Sequence, residues 1–402
     1  MSNTQKKNVP ELRFPGFEGE YSLDIFGNLA TNKSDKFNPQ NENASIDIEL
    51  DCIEQNTGRL IKIYNSKEFS SQKNKFNPQN VLYGKLRPYL NKYYFTKKSG
   101  VCSSEIWVLK STKEDKLLNL FLYYFIQTKR YSDVASKSAG SKMLRADWGL
   151  IENIRVYFPE LCEQQKIGEF FSKLDRQIEL EEQKLELLQQ QKKCYMQKIF
   201  SQELRFKDDN GNDYPEWEEK KLGELSQIVR GASPRPIKDP KWFNKESDIG
   251  WLRISDVTDQ NGKIYHLEQK LSIEGQEKTR VLLTTHLLLS IAASIGKPVM
   301  NFVKTGVHDG FLIFLNPKFN IFFMYYWLDY FKEKWSKYGQ PGSQVNLNSE
   351  IVKSQTLNMP SNHEQEKVGL FFSRNEKLIE LQQEKIMYLK RRKQALILKM
   401  FI

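Results

Sequence analysis

Arginine and lysine recur beside glycine, serine and aromatic residues in several short segments, and this is side-chain chemistry suited to nucleic acid. Arginine can bridge O6 and N7 of guanine, asparagine and glutamine can bridge N6 and N7 of adenine, and lysine favours phosphate. The candidate contact residues are Lys85, Arg87, Tyr89, Ser141, Lys142 and Arg145 in the first half of the chain and Arg230, Ser233, Arg235, Arg253, Lys297, Ser343, Gln344 and Asn346 in the second. For any single one of them, an ordinary turn with surface charge is the alternative interpretation.

The motifs of common catalytic sites are missing from the sequence. It has no G-x-x-x-x-G-K-[ST] phosphate loop, no G-x-S-x-G nucleophile turn and no N-P-P-[YF] tetrapeptide. The nearest approach to a metal-dependent nuclease is Glu218-Glu219-Lys220, whose adjacent acids fit a solvated helix start better. No cysteines have C-x-x-C spacing, and no histidines lie four residues apart. We therefore predict neither catalytic residues nor a metal site in this chain.

The composition indicates a folded, basic protein. The 402 residues include 61 Lys plus Arg against 50 Asp plus Glu, a formal net charge of +11, and 39% are hydrophobic. This charge favours a polyanionic partner, since cations that neutralise phosphates release counterions, although a surface kept soluble by charge explains it equally well. The apolar runs are too short to cross a bilayer, and Met1 to Pro10 has no apolar leader, so we expect a cytoplasmic protein without membrane contact.

The chain contains an internal repeat. The segment EQQKIGEFFS, from Glu163 to Ser172, returns without a gap as EQEKVGLFFS, from Glu364 to Ser373. The Glu-Leu-Arg-Phe that begins at Glu11 likewise returns at Glu203. The sequence is therefore interpreted as a duplicated unit of about 200 residues.

Each copy ends in a predicted long helix with apolar residues at heptad spacing. The seam positions are Ile178, Leu185, Leu188, Tyr195 and Ile199 in the first copy and Ile379, Ile386, Leu389, Leu396 and Met400 in the second. Lys192 and Lys393 also fall on this seam, where we expect them to weaken it. A globular segment lies between the two helices, so the simplest closure is an antiparallel coiled coil with a pseudo-two-fold axis.

The other segments alternate short β-branched or aromatic runs with helical stretches, which predicts mixed α/β domains and an α+β fold. Strands are expected at residues 47–53, 105–109, 299–303 and 310–315, and helices around 117–131 and 322–337. The predicted globular domains are residues 1–158 and 202–358, and the predicted helical segments are residues 159–201 and 359–402.

These blocks resemble the specificity subunit of type I restriction-modification systems. The resemblance rests on Glu-Gln-x-Lys-Ile/Val-Gly-x-Phe-Phe-Ser, which twice leads into a long helix, and on Leu-Arg-Phe before each globular part. The phrases Tyr214-Pro215-Glu216-Trp217 and Lys85-Leu86-Arg87-Pro88-Tyr89-Leu90 are similar to that family too. Together they cover essentially the whole chain.

The resemblance implies two target recognition domains, each reading one half of an asymmetric bipartite DNA target, and helices that act as spacer and docking surface. It implies a non-catalytic DNA-binding subunit that directs two methyltransferase subunits to the target and, through them, the restriction subunits. S-adenosylmethionine, ATP and Mg are then expected on those partners, with no cofactor on this chain.

The sequence is also compatible with two functions other than DNA specificity. A non-catalytic coiled-coil scaffold with two protein-binding heads would show weak, non-specific affinity for DNA. A stand-alone DNA endonuclease would show metal-dependent cutting by the isolated chain.

Overall fold

The computed structural model describes residues 8–38, 46–65, 71–137, 144–291, 295–338 and 347–402. The chain divides into two compact units, Met1–Glu182 with Glu384–Ile402 and Gln183–Gln383. Each unit therefore combines one globular region with segments of two long helices.

The globular region of the first unit is built on two four-stranded sheets. Its strands are β1 (Ser22–Ile25), β2 (Ala30–Thr31), β3 (Lys36–Phe37), β4 (Asp47–Ile48), β5 (Lys73–Phe76), β6 (Val81–Gly84), β7 (Tyr93–Phe95), β8 (Gly100–Cys102), β9 (Ile106–Ser111) and β10 (Arg155–Phe158). The sheets have the strand orders β2-β9-β6-β7 and β3-β5-β8-β4, and β1 pairs separately with β10. Strands β4 and β8 are parallel, so the region is a mixed α/β structure.

The helices of the first unit are α1 (Phe26–Leu29), α2 (Asn119–Phe125), α3 (Lys129–Ala135), α4 (Trp148–Ile151) and the first part of α5 (Leu161–Phe200). The single helix expected at residues 117–131 is two helices. The reason is local, because the Thr128 hydroxyl accepts a hydrogen bond from the Tyr131 amide and so caps the start of α3. Residues 121–125 of α2 are all buried, since α2 packs on both the sheet and α5.

The second unit has a related plan, with one five-stranded and one three-stranded sheet. Its strands are β11 (Glu218–Lys221), β12 (Gln227–Arg230), β13 (Gly250–Trp251), β14 (Lys263–Ile264), β15 (Arg280–Leu282), β16 (Leu287–Ser290), β17 (Pro298–Asn301), β18 (Thr305–Val307), β19 (Phe311–Leu315) and β20 (Thr356–Met359). Its helices are α6 (Leu222–Leu225), α7 (Ile254–Asp259), α8 (Ile273–Glu277), α9 (Ile321–Phe331), α10 (Ser349–Ser354) and α11 (Asn362–Met400). The sheets have the orders β12-β19-β16-β17-β14 and β13-β18-β15, and β11 pairs with β20.

Three local expectations differ from the structure. Glu218-Glu219-Lys220 belongs to β11 and not to a helix, because its backbone pairs with β20. The strand expected at residues 47–53 stops at Ile48, and a 3-10 turn follows at Leu50–Cys52. The helix expected at 322–337 ends at Phe331 and continues as the 3-10 segment Lys332–Tyr338.

A buried ion pair stands at the start of each long helix. The carboxylate of Glu163, with no exposed side-chain surface, accepts hydrogen bonds from Arg13 Nε at 2.8 Å and Nη2 at 2.7 Å. In the second unit Glu364 accepts the same two bonds from Arg205, at 3.3 and 2.9 Å. The repeated Glu-Leu-Arg-Phe and Glu-Gln segments are thus two halves of one contact.

The glutamine that follows each buried glutamate ties the long helix to its globular region. Gln164 Oε1 accepts the Leu118 amide at 2.9 Å, next to the start of α2. Gln365 Oε1 accepts the Asn320 amide at 2.8 Å, next to the start of α9. These bonds explain why both repeats keep the Glu-Gln pair.

Replacing Glu163 by Gln is expected to lower the free energy of unfolding by about 2–4 kcal/mol, because the Arg13 guanidinium then faces a neutral amide. Urea unfolding of the full chain measures this change. Glu169→Gln, on the exposed face of the same helix, is the control and is expected to change stability by less than about 0.5 kcal/mol. Equal losses in the two variants would contradict the role of the ion pair.

Candidate nucleic-acid interface

Two loops of the first unit that are far apart in sequence lie side by side. The Arg87 amide donates to Leu144 O at 2.8 Å, and the Ala146 amide donates to Lys85 O at 2.8 Å. These bonds bring the predicted contact residues Lys85 and Arg87 next to Arg145. Ser141 and Lys142, in the same predicted cluster, fall outside the described residues.

Glu105 organises these loops from the turn between β8 and β9. Its carboxylate accepts Arg145 Nε at 3.0 Å and Nη2 at 3.1 Å, and its carbonyl accepts the Lys85 amide at 3.0 Å. The Arg145 hydrogen bonds lower the pKa of Glu105, so the carboxylate is the charged partner of this pair. Arg145 is therefore held in one orientation at the surface.

Arg87 and Tyr89 differ from Arg145, because their side chains have no hydrogen-bond partner among the described residues. Both are exposed, and neither side chain hydrogen-bonds to any residue in the part of the chain that the structure describes. Arg87 adopts a left-handed backbone conformation with φ 52°, which starts the 3-10 turn Pro88–Leu90. Both side chains are therefore available at the surface for an outside partner.

Asp309 has the corresponding place in the second unit, in the turn between β18 and β19. Its carboxylate accepts Ser233 Oγ at 2.7 Å and Arg235 Nη2 at 2.7 Å, and its carbonyl accepts Arg230 Nε at 2.6 Å. The Ser233 hydrogen bond and the Arg235 charge hold the pKa of Asp309 below its usual range. Three predicted contact residues thus converge on one acid that the sequence analysis did not single out.

Several arginines of the second unit lie at one edge of its three-stranded sheet. Strands β13 and β18 are parallel, so Arg253 and Asp309, which follow them, leave the sheet at the same edge. Strand β15 is antiparallel to β18 and begins there with Arg280. Arg280 Nε donates to Arg230 O at 2.7 Å. Sequence reasoning missed Arg280 because no glycine or aromatic residue stands beside it.

Arg253 and Lys297 are held by contacts within the fold. Arg253 donates to Asp256 from Nε at 3.1 Å and Nη2 at 2.7 Å, while the same carboxylate caps the start of α7. Lys297 Nζ donates to Val257 O and Asn261 Oδ1, both at 3.3 Å, and burial lowers the pKa of Lys297. These contacts keep both side chains on α7 and the turn after it. The remaining predicted contacts, Ser343, Gln344 and Asn346, lie outside the described residues.

Segments of α5 and α11 pack antiparallel within each unit. In the first unit Asp175 of α5 pairs with Lys393 of α11 at 2.6 Å. Farther along α5, Glu182 pairs at 2.6 Å with Lys390, which comes before Lys393 on α11, so the two helices run in opposite directions. Of the predicted seam residues, Ile178, Ile199, Ile386, Leu389 and Met400 are buried, Leu185, Leu188, Ile379 and Leu396 are partly buried, and Tyr195 is 36% exposed.

The seam is wider than a strict heptad predicts. Met196 and Ile397, each one position beyond a predicted seam residue, are buried as well. A helix of 3.6 residues per turn drifts away from a seven-residue repeat, which brings these neighbours into the contact. Tyr195 remains in contact through its ring edge, 5.3 Å from the Phe371 ring.

The two seam lysines have carboxylate partners. Lys393 Nζ lies 2.6 Å from Asp175, and Lys192 Nζ lies 3.5 Å from Glu376 in the second unit. The positions correspond through the repeat, since 393 − 192 and 376 − 175 are both 201. The expectation that these lysines only weaken the seam overlooked partners that a heptad pattern does not reveal.

Other polar clusters in the structure do not form a catalytic constellation. An open cleft of about 900 Å³ in the first unit is lined by charged residues that include Arg59, Asp175, Glu182 and Lys393. These pair with one another or with their neighbours. Among the described residues, no three His, Cys, Asp or Glu side chains are placed to hold a metal ion. In the same ranges, no helix is both long and apolar enough to cross a membrane.

Comparison with known proteins gives a consistent result. The family model of the type I restriction modification DNA specificity domain matches residues 20–190 and 214–391. The MjaVIII type I restriction enzyme specificity subunit of Methanocaldococcus jannaschii is 25% identical over 310 residues, which are 72% of this chain and 71% of that protein.

Solved structures share the fold at lower identity. A chain from a type I restriction-modification system, solved to explain complex assembly and conformational transition, superposes with a TM-score of 0.60 at 17% identity over 94% of this chain and 96% of that one. The S subunit of a type I system from M. genitalium superposes with a TM-score of 0.57 at 14% identity, over 98% and 99% of the two chains.

Arg253→Ala is expected to lower the free energy of unfolding by about 1–3 kcal/mol, because the buried Asp256 loses its charge-assisted bonds. Arg87→Ala is the matched control, since the exposed Arg87 side chain has no hydrogen bond or ion pair with a described residue, and its change is expected to stay within about 0.5 kcal/mol. Denaturant unfolding of both variants measures the difference. A stable Arg253→Ala protein would show that this arginine does not hold α7.

Proposed function

The chain belongs to the type I restriction modification DNA specificity family, and on this premise we propose that its two α/β regions each read one half of an asymmetric, bipartite DNA target. It is the DNA specificity subunit of a type I restriction-modification system and is itself non-catalytic.

One observation carries the proposal. Each unit presents arginines at the surface beside the turn that links its two sheets, and the set differs between the units: Lys85, Arg87 and Arg145 around Glu105 in the first, Arg230, Ser233 and Arg235 around Asp309 in the second. Arginine and serine supply both base-edge and phosphate contacts. Two different sets of side chains select two different base sequences, so the whole target is asymmetric.

The long helices supply the surface for the partner subunits in this proposal. Several of their apolar side chains point to solvent: Leu180 and Leu187 on α5, and Leu378, Leu381, Tyr388 and Leu398 on α11. Exposed apolar residues of this kind are typical of protein contacts. Two methyltransferase subunits dock there, carry S-adenosylmethionine and join the restriction subunits with their ATP and Mg, all in the cytoplasm.

The central experiment compares DNA methylation in cells with and without this gene, together with its methyltransferase and restriction partners. The proposal expects one bipartite motif to lose methylation when the gene is deleted. An unchanged methylome, with binding to proteins alone, would favour a scaffold with two protein-binding heads. Metal-dependent cutting by the isolated chain would favour a stand-alone endonuclease.

Helix length is expected to set the gap between the two halves of the target. Removing seven residues from both α5 and α11 shortens each helix by about 10 Å, which corresponds to about three base pairs. The methylated motif of the variant complex should keep both half-sites and lose about three base pairs between them. A change in the preferred bases at constant spacing would contradict this role.

Arg87→Ala separates base reading from phosphate contact. If Arg87 reads a base, the variant complex loses discrimination at one base pair by about 1–3 kcal/mol. Binding to a set of single-base variants of the target, measured at several salt concentrations, provides the readout. A uniform loss over all sequences, with a salt slope smaller by about one, would make Arg87 a phosphate contact instead.

A further inference from the structure

The turn that crosses between the two sheets carries an acid in both units. In the first unit Glu105 stands between β8 and β9, and in the second Asp309 stands between β18 and β19. Each acid binds an arginine from a separate loop, Arg145 in one case and Arg235 in the other. The acid has the same place in the topology of both units, and in both it accepts hydrogen bonds from an arginine, two from Arg145 and one from Arg235.

Building on the proposed function, we propose that Glu105 and Asp309 are positioning residues, each of which holds the DNA-reading side chains of its own unit in one orientation. Neither acid needs to touch DNA for this role. Each sets the discrimination of one half-site and leaves the other half-site unaffected.

Electrostatics supports a positioning role over an affinity role. A carboxylate on a surface that meets DNA repels the phosphates, so Glu105 and Asp309 by themselves weaken binding. Asp309 nevertheless lies within hydrogen-bond distance of Ser233 and Arg235, and its carbonyl binds Arg230. An arginine side chain loses rotamer entropy when it is fixed, and fixing it before binding removes much of that loss from the binding step.

The geometry also fixes the loops that carry these side chains. The Glu105 carbonyl accepts the Lys85 amide at 3.0 Å, so one residue holds the backbone of one loop and the arginine of the other. The Asp309 amide donates to Ser233 Oγ at 3.2 Å, and Ser233 Oγ donates to the Asp309 carboxylate at 2.7 Å, which gives a two-way contact with that loop. The main-chain bonds of residues 105 and 309 persist in any substitution, so loss of either acid frees the side chains that its carboxylate holds and leaves the loop backbone in place.

The test uses the complex assembled with its methyltransferase subunits, carrying Glu105→Gln or Asp309→Asn. Both changes keep the size of the side chain and remove its charge. Two control variants remove the same charge elsewhere, one in each unit. They are Asp133→Asn on α3 and Asp248→Asn ahead of β13, where Asp248 pairs with Lys304 away from Asp309. Binding to libraries randomised in one half-site at a time, thermal unfolding and affinity for unrelated DNA are measured for all four.

Each acid variant is expected to lose about tenfold in preference at positions of one half-site, a different half-site for each variant, with the other half-site unchanged. Affinity for unrelated DNA should stay constant or rise, because a negative charge is gone. The two controls should match the wild type. If Asp309→Asn lowers the unfolding temperature, Ser233→Ala removes the loop side of the contact and should relax the same half-site.

If the wild-type complex selects its motif and the acid variants discriminate equally well, this inference is overturned and the proposed function stands. Relaxation of a single C·G pair would overturn it as well, because the acid would then read cytosine N4 directly. Equal loss at both half-sites would also overturn the inference, because each acid would then act on the whole chain and not on the side chains of its own unit. A wild-type complex without sequence preference would overturn both this inference and the proposed function.

Discussion

The carboxylates of Glu163 and Glu364 are fully buried, and a buried carboxylate is stable only when a cation and hydrogen-bond donors surround it. Arg13 and Arg205 supply the charge from the segment ahead of each globular region. An aromatic donor completes each site, Tyr21 Oη at 3.2 Å in the first unit and Trp217 Nε1 at 3.0 Å in the second. The beginning of each globular region and the start of the helix that follows it are held together by this contact, and the paired strands β1–β10 and β11–β20 lie directly beside it in sequence. The position of everything between those strands depends on it.

The sequence predicted the family, the duplicated α/β regions and the long helices, and these predictions are confirmed. It did so because the segments that carry these contacts recur in the sequence, Glu-Leu-Arg-Phe at Glu11 and Glu203 and Glu-Gln at Glu163 and Glu364, and because heptad spacing marks the long helices. What it could not predict were partners from distant segments. Glu105, Asp309 and Arg280 stand in ordinary polar surroundings, and only the pairing of β18 with β13 and β15 brings the last two to one edge. The seam lysines show the same limit, since Asp175 and Glu376 become visible as their partners only when the helices are packed.

Part of the positive charge behind the net charge of +11 is already paired with acids of the chain. Arg145, Arg235 and Arg253 each bind an acid, whereas Arg87 does not bind any described residue. An arginine that is already bound offers fewer donors to DNA but a defined direction. A free arginine offers all its donors and pays more rotamer entropy when it binds. The surface thus combines ordered side chains, suited to discrimination, with free ones, suited to attraction.

The first unit is discontinuous along the chain, because it needs residues 384–402 as well as residues 1–182. Leu389, Ile397, Met400 and Phe401 belong to its hydrophobic core, and the Leu12 amide bonds to Lys399 O at 2.9 Å. During synthesis the ribosome makes the whole of Gln183–Gln383 before these residues emerge, which takes about 10–40 s at roughly 5–20 residues per second. The region that is translated first is therefore the one whose core is completed last, and for that interval its apolar surface is open to chaperones.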